Sequence, residues 1–454
     1  MCKYDVRRCF FAHKLGGEIR YIKRQPGNDT AFIQNSVSGK VENTILLLYN
    51  EPVTQCRRRG KMGKFGLIGK GLEYSYSVPI HQMFGNYTYE LLETGENELE
   101  DRIRDHDYDG FNITLPYKRK IVSYCDEISP EALATGSVNT VIREFGKIKG
   151  YNTDYFGFCY LLDRNEIDVQ GKKCLVLGSG GVSHTVQQVL KDRRASEIVV
   201  VSRTGAVNYD CLQDHRDAEI IINATPVGMY PDNGRSLIDF REFPNCCGAV
   251  DVIYNPDKTW FILDAMAHNI PCAGGISMLV AEIKQASELF QQKKIPDEDI
   301  DSAIYEIRSQ KLNYILIGMP GSGKTYLGGQ MAKARNRDFY DLDTCIEKSE
   351  GMSRRRIVEE KGEEYYRERE TECLRKICKK NGIVVAAGSG IVTRRANYSL
   401  MKQNGRIIWI KRDLDKLEID DYSPTPEELQ KLYEERSGLY DSWSDYFIDN
   451  NQEL

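Results

Sequence analysis

Four apolar residues, Tyr314-Ile-Leu-Ile317, run directly into Gly318-Met-Pro-Gly-Ser-Gly323-Lys324-Thr325. The apolar run suits a buried parallel strand. Residues Gly318–Thr325 fit G-x-x-x-x-G-K-[ST], in which glycines let the backbone curl until its N–H groups converge on phosphate oxygens. Gly318, Gly321, Ser322 and Gly323 would form that cradle. Lys324 would neutralise the β- and γ-phosphates, and the Thr325 hydroxyl would bind Mg²⁺. Tyr326–Lys333 reads as a helix whose positive N-terminus adds to anion binding. Strand, glycine loop and helix in this order predict an α/β domain with a nucleotide phosphate site.

The 454 residues are enough for two or three domains, each with its own core. A net charge of −5 gives no general attraction to nucleic acid or to anionic membranes. No apolar run reaches the roughly eighteen residues of a membrane helix, and none opens the chain as a signal peptide. The thirteen cysteines show no C-x-x-C spacing, and the six histidines are dispersed. Both patterns point to free thiols in a reducing compartment, so the expectation is a cytoplasmic protein without a transition metal. Residues 1–61 differ: they carry a net charge of +7, against −12 for the rest. Only Thr44–Tyr49 looks like a strand there. This segment is expected to be a basic extension without a stable fold, or to lie upstream of a true start at Met62.

Structural patterning begins after Met62. Lys64–Gly69 reads as a strand, and Ser75 and Ser77 come next in a turn where two hydroxyls could grip a carboxylate. Alone, such a pair more often caps a helix. In Phe111-Asn-Ile-Thr-Leu-Pro-Tyr-Lys118 polar and apolar residues alternate. As extended chain, Asn112, Thr114 and Lys118 would share one face, with Phe111, Ile113 and Leu115 on the other. Ser137-Val-Asn139-Thr140 and Gly150-Tyr-Asn152-Thr153-Asp154 place further amides, hydroxyls and a carboxylate at strand ends.

These four motifs, in this order, resemble the shikimate dehydrogenases. The resemblance implies that Ser75 and Ser77 hold a shikimate carboxylate, that Lys118 is catalytic, and that Asn112, Thr114, Asn139 and Asp154 surround the ring. Beside Asp154, the Lys118 ammonium could donate a proton to an alkoxide formed by hydride transfer. Further on, Lys173–Leu177 feeds Gly178-Ser179-Gly180-Gly181-Val182-Ser183, a shortened dinucleotide loop, and a second strand ends at Ser202-Arg203-Thr204. An acidic residue at that end would accept from a ribose 2′-OH. Ser202, Arg203 and Thr204 suit a 2′-phosphate instead, so the cofactor expected is NADP. The resemblance also places Tyr254 among the substrate contacts and Gly275 beside the cofactor. Glu282 stands where the family usually has a glutamine that touches substrate. The apolar spacing Met278, Ala281, Ile283, Ala286, Leu289 predicts an amphipathic helix returning to the first lobe.

The segment from Lys311 resembles shikimate kinases. Asp341 and Asp343 close a strand as D-x-D, implied to serve Mg²⁺ and the shikimate hydroxyl respectively. Arg367 and Arg436 are implied carboxylate ligands, and Gly388-Ser389-Gly390 the turn that supports the ring. Ser389 departs from a middle glycine. The lid arginine is also missing, because no arginine occurs between Asp413 and Glu435; Arg412 or Lys416 could substitute.

The expected organisation is thus a basic extension over 1–61, a substrate lobe over 62–160 completed by helices within 276–308, a Rossmann-like NADP lobe over 161–275, and a P-loop kinase domain over 311–454. Each half is α/β. The function implied is a bifunctional shikimate-pathway enzyme using NADP(H) and Mg-ATP on 3-dehydroshikimate and shikimate. It would have no nucleic-acid or membrane partner and would be a monomer or homodimer. The competing reading is a quinate/shikimate dehydrogenase carrying a degenerate, ligand-sensing kinase-like domain.

Overall fold

The structure is a computed structural model that describes residues 62–418 and 425–451, together with four short strands before them. Strand β1 (Ala12–Leu15) pairs antiparallel with β2 (Glu18–Tyr21), and β3 (Lys23–Arg24) with β4 (Ala31–Phe32). The sequence reading missed these pairs, because runs of two to four residues are too short to show alternation. Thr44–Tyr49 lies outside the described residues, as does any fold of the extension as a whole.

Two compact units emerge, one within Gln55–Lys311 and one containing Leu312–Leu454. The first unit opens with β5 (Lys64–Gly69), α1 (Ser77–Phe84), β6 (Thr88–Glu93), α2 (Leu99–Arg104) and β7 (Gly110–Ile113). It continues with β8 (Glu127–Ile128), α3 (Pro130–Thr135), β9 (Thr140–Glu144), β10 (Lys147–Tyr151) and α4 (Thr153–Arg164). Its sheet has the order β6-β5-β7-β9-β10-β8. β5, β6 and β7 run parallel, and β9 is antiparallel to both β7 and β10. Phe145 (φ 50°) and Gly146 (φ 79°) join β9 to β10. Positive φ at both central residues is what a tight turn needs to match the twist of a hairpin.

The second lobe of this unit comprises β11 (Lys173–Leu177), α5 (Gly181–Asp192), β12 (Glu197–Val201), β13 (Ile220–Asn223), β14 (Gly248–Asp251), α6 (Trp260–Ala267) and β15 (Cys272–Ala273). The sheet is wholly parallel, in the order β12-β11-β13-β14-β15. Parallel strands covered on both faces must be apolar throughout, and here alternate residues feed opposite layers. Cys174, Val176, Ile220 and Ile222 pack on one side, and Leu175, Leu177, Val199 and Ile221 on the other. α7 (Ile276–Gln291) and α8 (Glu298–Lys311) then return to pack with α1. α7 is not the one-sided helix its spacing predicted. Ile276–Ala281, Ile283, Lys284 and Ala286–Glu288 are all buried, because α7 meets α4 as well as α1 and α8. Lys284 survives there by pairing with Glu288 and Asp297.

The other unit runs β16 (Asn313–Ile317), α9 (Lys324–Ala334), β17 (Phe339–Asp341), α10 (Leu342–Glu350), α11 (Arg354–Lys361), α12 (Glu363–Ile377), β18 (Val384–Ala386), α13 (Arg395–Lys402), β19 (Gly405–Lys411), α14 (Pro426–Trp443) and β20 (Tyr446–Asp449). Its parallel sheet has the order β17-β18-β16-β19-β20. β16 is buried on both faces: Ile315 and Ile317 enter one core layer, Tyr314 and Leu316 the other. In both parallel sheets the glycine loop leaves the strand whose two neighbours lie on either side, β11 or β16. That is the crevice where open α/β sheets bind ligands.

Candidate active sites

In the first unit the side chains singled out by sequence converge beyond the ends of β5, β7 and β9. Ser75 Oγ donates to Ser77 Oγ at 3.0 Å and accepts from Ser77 N–H at 3.2 Å, so the two hydroxyls form one turn at the start of α1. The extended reading of 111–118 holds only to Ile113. The chain then turns, with Tyr117 N–H donating to Thr114 O, and Leu115 is exposed rather than sharing a buried apolar face. Lys118 therefore reaches the site from beyond a turn, not from strand alternation. Its carbonyl accepts from Val138 N–H at 2.8 Å, which ties the turn to the sheet.

Asp154 reaches the same point from the first turn of α4. Asn152 caps that helix by accepting from Tyr155 N–H. Its amide also donates to Thr135, Ser137 and Thr185, which fixes the helix start. Lys118 Nζ lies 3.0 and 2.8 Å from the two Asp154 oxygens, and both residues are buried. Burial alone would lower the lysine pKa, but Asp154, backed by Glu282, raises it above the ordinary value. For Asp154, burial is outweighed by the Lys118 ammonium beside it, so its carboxyl stays below the usual range.

Asn112 and Asn139 are buried and already engaged. Asn112 accepts from Tyr89 O–H at 2.9 Å and donates to Thr140 Oγ1 at 2.9 Å. Asn139 accepts from Thr153 N–H at 2.7 Å and donates to Thr153 Oγ1. Thr140, Thr153 and Tyr89 thus position the Asn112 and Asn139 amides, a role the sequence reading did not assign. Two of them stood inside the quoted motifs; Tyr89 gave no signal. Thr114 is half-buried, and its methyl is where a side chain on Gly69 would have to go.

Tyr254 faces Ser75 and Glu282, and burial pushes its phenol up to about 12. The dinucleotide loop adjoins this cleft. A Cβ on Gly181 would stand 3.8 Å from both Lys118 Cβ and Ser137 Oγ. Gly178 (φ 105°) packs where a side chain would strike Thr225 and the Ala224 carbonyl, whereas the space beside Gly180 is open. Ser183 Oγ donates to Gly178 O at 2.6 Å and braces the loop. Ser179 and Val182 flank this opening. Ser202 is buried, while Arg203 and Thr204 are exposed, with no ion pair to Arg203 among the described residues. An open cradle beside an unpaired guanidinium fits a phosphate-bearing dinucleotide. Gly275 has a different reason to be glycine: a Cβ there would lie 2.1 Å from Val252 O, so it serves backbone packing.

In the second unit Gly321 and Gly323 have φ of 69° and 90°, as a loop with inward-facing N–H groups requires. Lys324 Nζ donates to Gly318 O and Met319 O at 3.1 and 2.8 Å. Asn450 donates to Ser322 O, and Arg412 Nη1 lies against Gly321 O while pairing with Glu418. Thr325 Oγ1 donates to Asp341 Oδ2 at 2.7 Å, which places the two implied Mg²⁺ ligands together. Asp341 closes β17 and caps α10, whereas Asp343 sits in the first helical turn rather than on the strand. Tyr366 O–H donates to Asp343 Oδ1 at 2.6 Å, and Arg354 lies 3.5 Å from its other oxygen.

Arg367 is 6% exposed and paired at 2.8 Å with both Glu363 and Glu370. Arg436 is buried nearby, with no hydrogen-bond partner for its Nε among the described residues. The glycine turn is explained by these groups. A Cβ on Gly388 would stand 2.2 Å from Glu370 Oε1, and one on Gly390 2.2 Å from the Arg367 guanidinium. Ser389 lies between them, buried, its carbonyl accepting from Tyr440 O–H. Its Cβ sits at the one position of the turn where no such collision arises. Lys416, offered as a stand-in for the missing lid arginine, pairs with Asp413, while Arg412 reaches the phosphate loop.

Comparison with known proteins accounts for both clefts. A family model described as the shikimate dehydrogenase substrate binding domain matches residues 67–141. An NADP(+)-type shikimate dehydrogenase of Clostridium perfringens is 33% identical over 266 residues, covering 54% of this chain and 98% of the relative. The chain belongs to the shikimate dehydrogenase family. The enzyme of Caldicellulosiruptor bescii is 35% identical, with 50% of this chain and 89% of the relative covered. A chorismate mutase/shikimate 5-dehydrogenase fusion protein of Clostridium acetobutylicum superposes with a TM-score of 0.52 at 32% identity, covering 54% of this chain and 97% of that one. Shikimate dehydrogenase 1 of Peptoclostridium difficile gives 0.51 at 33%, with 54% and 98% covered. The model of the shikimate kinase family matches residues 320–454. A shikimate dehydrogenase is therefore fused here to a shikimate kinase domain.

Proposed function

We propose that the first unit reduces 3-dehydroshikimate to shikimate with NADPH, and that the second transfers the γ-phosphoryl of Mg-ATP to shikimate, giving shikimate 3-phosphate. The observation that carries the first reaction is the buried Lys118–Asp154 pair beside the dinucleotide loop. NADPH supplies the hydride. Ser75, Ser77 and Tyr254 hold the substrate carboxylate, while Asn112, Asn139 and Asp154 orient the ring hydroxyls. Lys118 donates its proton to the oxygen that becomes negative, and Asp154 holds the ammonium in line for that transfer.

In the second unit ATP supplies the phosphoryl group. Lys324 swings from its two carbonyls to the phosphates, Thr325 and Asp341 hold Mg²⁺, and Asp343 accepts the proton of the attacking hydroxyl. Arg367 and Arg436 bind the shikimate carboxylate. The buried Arg436 N–H without a partner supports that assignment, because such a donor costs about 1–3 kcal/mol until an acceptor arrives. The domain limits we propose are 62–160 with 276–308 for the substrate lobe, 161–275 for the NADP lobe and 311–454 for the kinase.

No helix among the described residues is long and apolar enough to cross a membrane. The test is an assay supplying 3-dehydroshikimate, NADPH and ATP, with NADPH loss and ADP release followed separately. Both signals are expected, and ADP release should require shikimate. NADPH loss without ADP release, in protein that binds both kinase ligands, would leave the kinase half as a sensor.

A further inference from the structure

Helices α10, α11 and α12 meet beside Asp343. Each gives one residue to a buried cluster: Ile346 from α10, Ile357 from α11 and Tyr366 from α12. Arg354 N–H donates to Glu347 Oε1 at 2.8 Å and ties the start of α11 to α10. The Tyr366 ring is 0% exposed in this junction, so close packing leaves it little freedom. A buried phenol needs a partner for its hydroxyl. Tyr366 finds it in Asp343, donating to Oδ1 at 2.6 Å. The same oxygen faces the glycine turn, since a Cβ on Gly388 would stand 3.0 Å from it. Arg354 approaches the other oxygen at 3.5 Å, its side chain 40% exposed. The Arg354 and Arg367 guanidinium groups lie 5.2 and 5.7 Å from the centre of the Tyr366 ring.

A carboxylate rotates easily about its last torsion unless its oxygens are held. In-line transfer tolerates little such freedom, because a misplacement of about 1 Å can cost about a hundredfold in rate. We propose that Tyr366 is a positioning residue for phosphoryl transfer: its buried phenol fixes the Asp343 carboxylate so that it meets the attacking hydroxyl in line. The phenol keeps its own proton throughout. Arg354 is the lesser holder, because its contact is longer and open to water, where ion pairs count for little. Tyr366 precedes Arg367 directly in α12. Two adjacent positions thus set both ends of the acceptor: Arg367 grips its carboxylate, and Tyr366 aims the group that takes its hydroxyl proton.

This inference rests on the kinase reading and deepens it. In the full-length protein with saturating Mg-ATP, Tyr366→Phe should lower kcat for phosphorylation of shikimate about ten- to a hundredfold. Arg354→Gln should lower it no more than about fivefold. KM for shikimate and for Mg-ATP should change little in Tyr366→Phe, because Arg367, Arg436 and the phosphate loop are untouched. The kinase unfolding transition should stay in place, and NADPH oxidation should be unaffected. A merely structural role would instead raise KM and lower that transition. An unchanged kcat in Tyr366→Phe, a loss accompanied by those structural signs, or a larger loss in Arg354→Gln would overturn the proposal. A wild type that binds Mg-ATP and shikimate but forms no ADP would sink the kinase reading itself, and this inference with it.

Discussion

Lys118 is buried and Lys324 half-buried, and the two sites hold them in opposite ways. Burial pushes any ammonium toward its neutral form. At Lys118 two carboxylate oxygens lie within 3.0 Å, and the pairing outweighs the burial. At Lys324 the partners are two backbone carbonyls. Burial prevails there over the more distant Asp343 and Asp341, and the pKa is pushed down to about 8. The difference teaches that the charge state of such a lysine depends on whether its counter-charge is built into the protein. The hydride site carries its own anion and is set before substrate arrives. The phosphate loop has a cation without one, and its full charge arrives with the nucleotide.

The largest expected effects separate the two sites. Lys118→Met should lower NADPH oxidation by about 10²–10⁴-fold while leaving phosphorylation of added shikimate intact. Lys324→Met should lower ADP formation by about 10²–10³-fold and leave NADPH oxidation alone. If either variant silences both reactions, the two sites do not act independently.

Next comes stability. Asp154→Asn leaves a buried ammonium without its carboxylate, and breaking such a pair costs about 3–5 kcal/mol. Lys324→Met removes a half-buried cation that has no carboxylate in contact, so the kinase transition should stay in place or move up. Two-transition calorimetric unfolding would read both. The sign with pH is also set: the Asp154 pKa is lowered by folding, so its contribution is present above the unfolded carboxylate value and fades as pH falls through the folded one. Equal losses in the two variants would mean that burial, not pairing, governs both lysines.

Arg203 extends the comparison to a third cation, exposed and without an ion pair among the described residues. If its anion comes with the cofactor, Arg203→Ala should cost roughly 1.5–3 kcal/mol of NADP(H) binding, or about ten- to a hundredfold in KM. NAD(H) should be almost unaffected. An equal loss for both cofactors would remove the 2′-phosphate from the account.

The residues legible in the sequence were those whose chemistry is local. The phosphate loop announces itself because strand, glycines, lysine and helix must be consecutive, and its parallel sheet because the run Tyr314–Ile317 is apolar on both faces. Lys118 and Asp154 came from separate short motifs, but their contact depends on a turn at 114–117 that alternation misread as strand. What stayed hidden was long-range. Nothing near Arg367 marked Glu363 and Glu370 as its resting partners rather than surface charge, and Tyr89 reaches Asn112 only across the sheet. Arg354 stands in a run of three arginines, and only the start of α11 brings it beside Asp343.

The smallest effect, and the most direct reading of Lys324, is a proton. With a pKa of about 8 in the ligand-free protein, Lys324 is roughly three-quarters neutral at pH 8.5. Triphosphate oxygens around the ammonium favour its charged form, so nucleotide binding must draw a proton from the buffer. The nucleotide cannot supply it, since phosphate groups with a second pKa of about 6 are already fully ionised. Titration calorimetry with Mg-ATP at pH 8.5, in buffers of different ionisation enthalpy, should therefore give an apparent enthalpy that varies with the buffer. The slope should correspond to roughly 0.7 of a proton and fall toward zero at pH 6.5. Shikimate bound at the first site should show no such slope, because Lys118 already holds its proton against Asp154. A buffer-independent enthalpy for Mg-ATP at pH 8.5 would mean that Lys324 is charged before the nucleotide arrives, and the contrast between the two lysines would disappear.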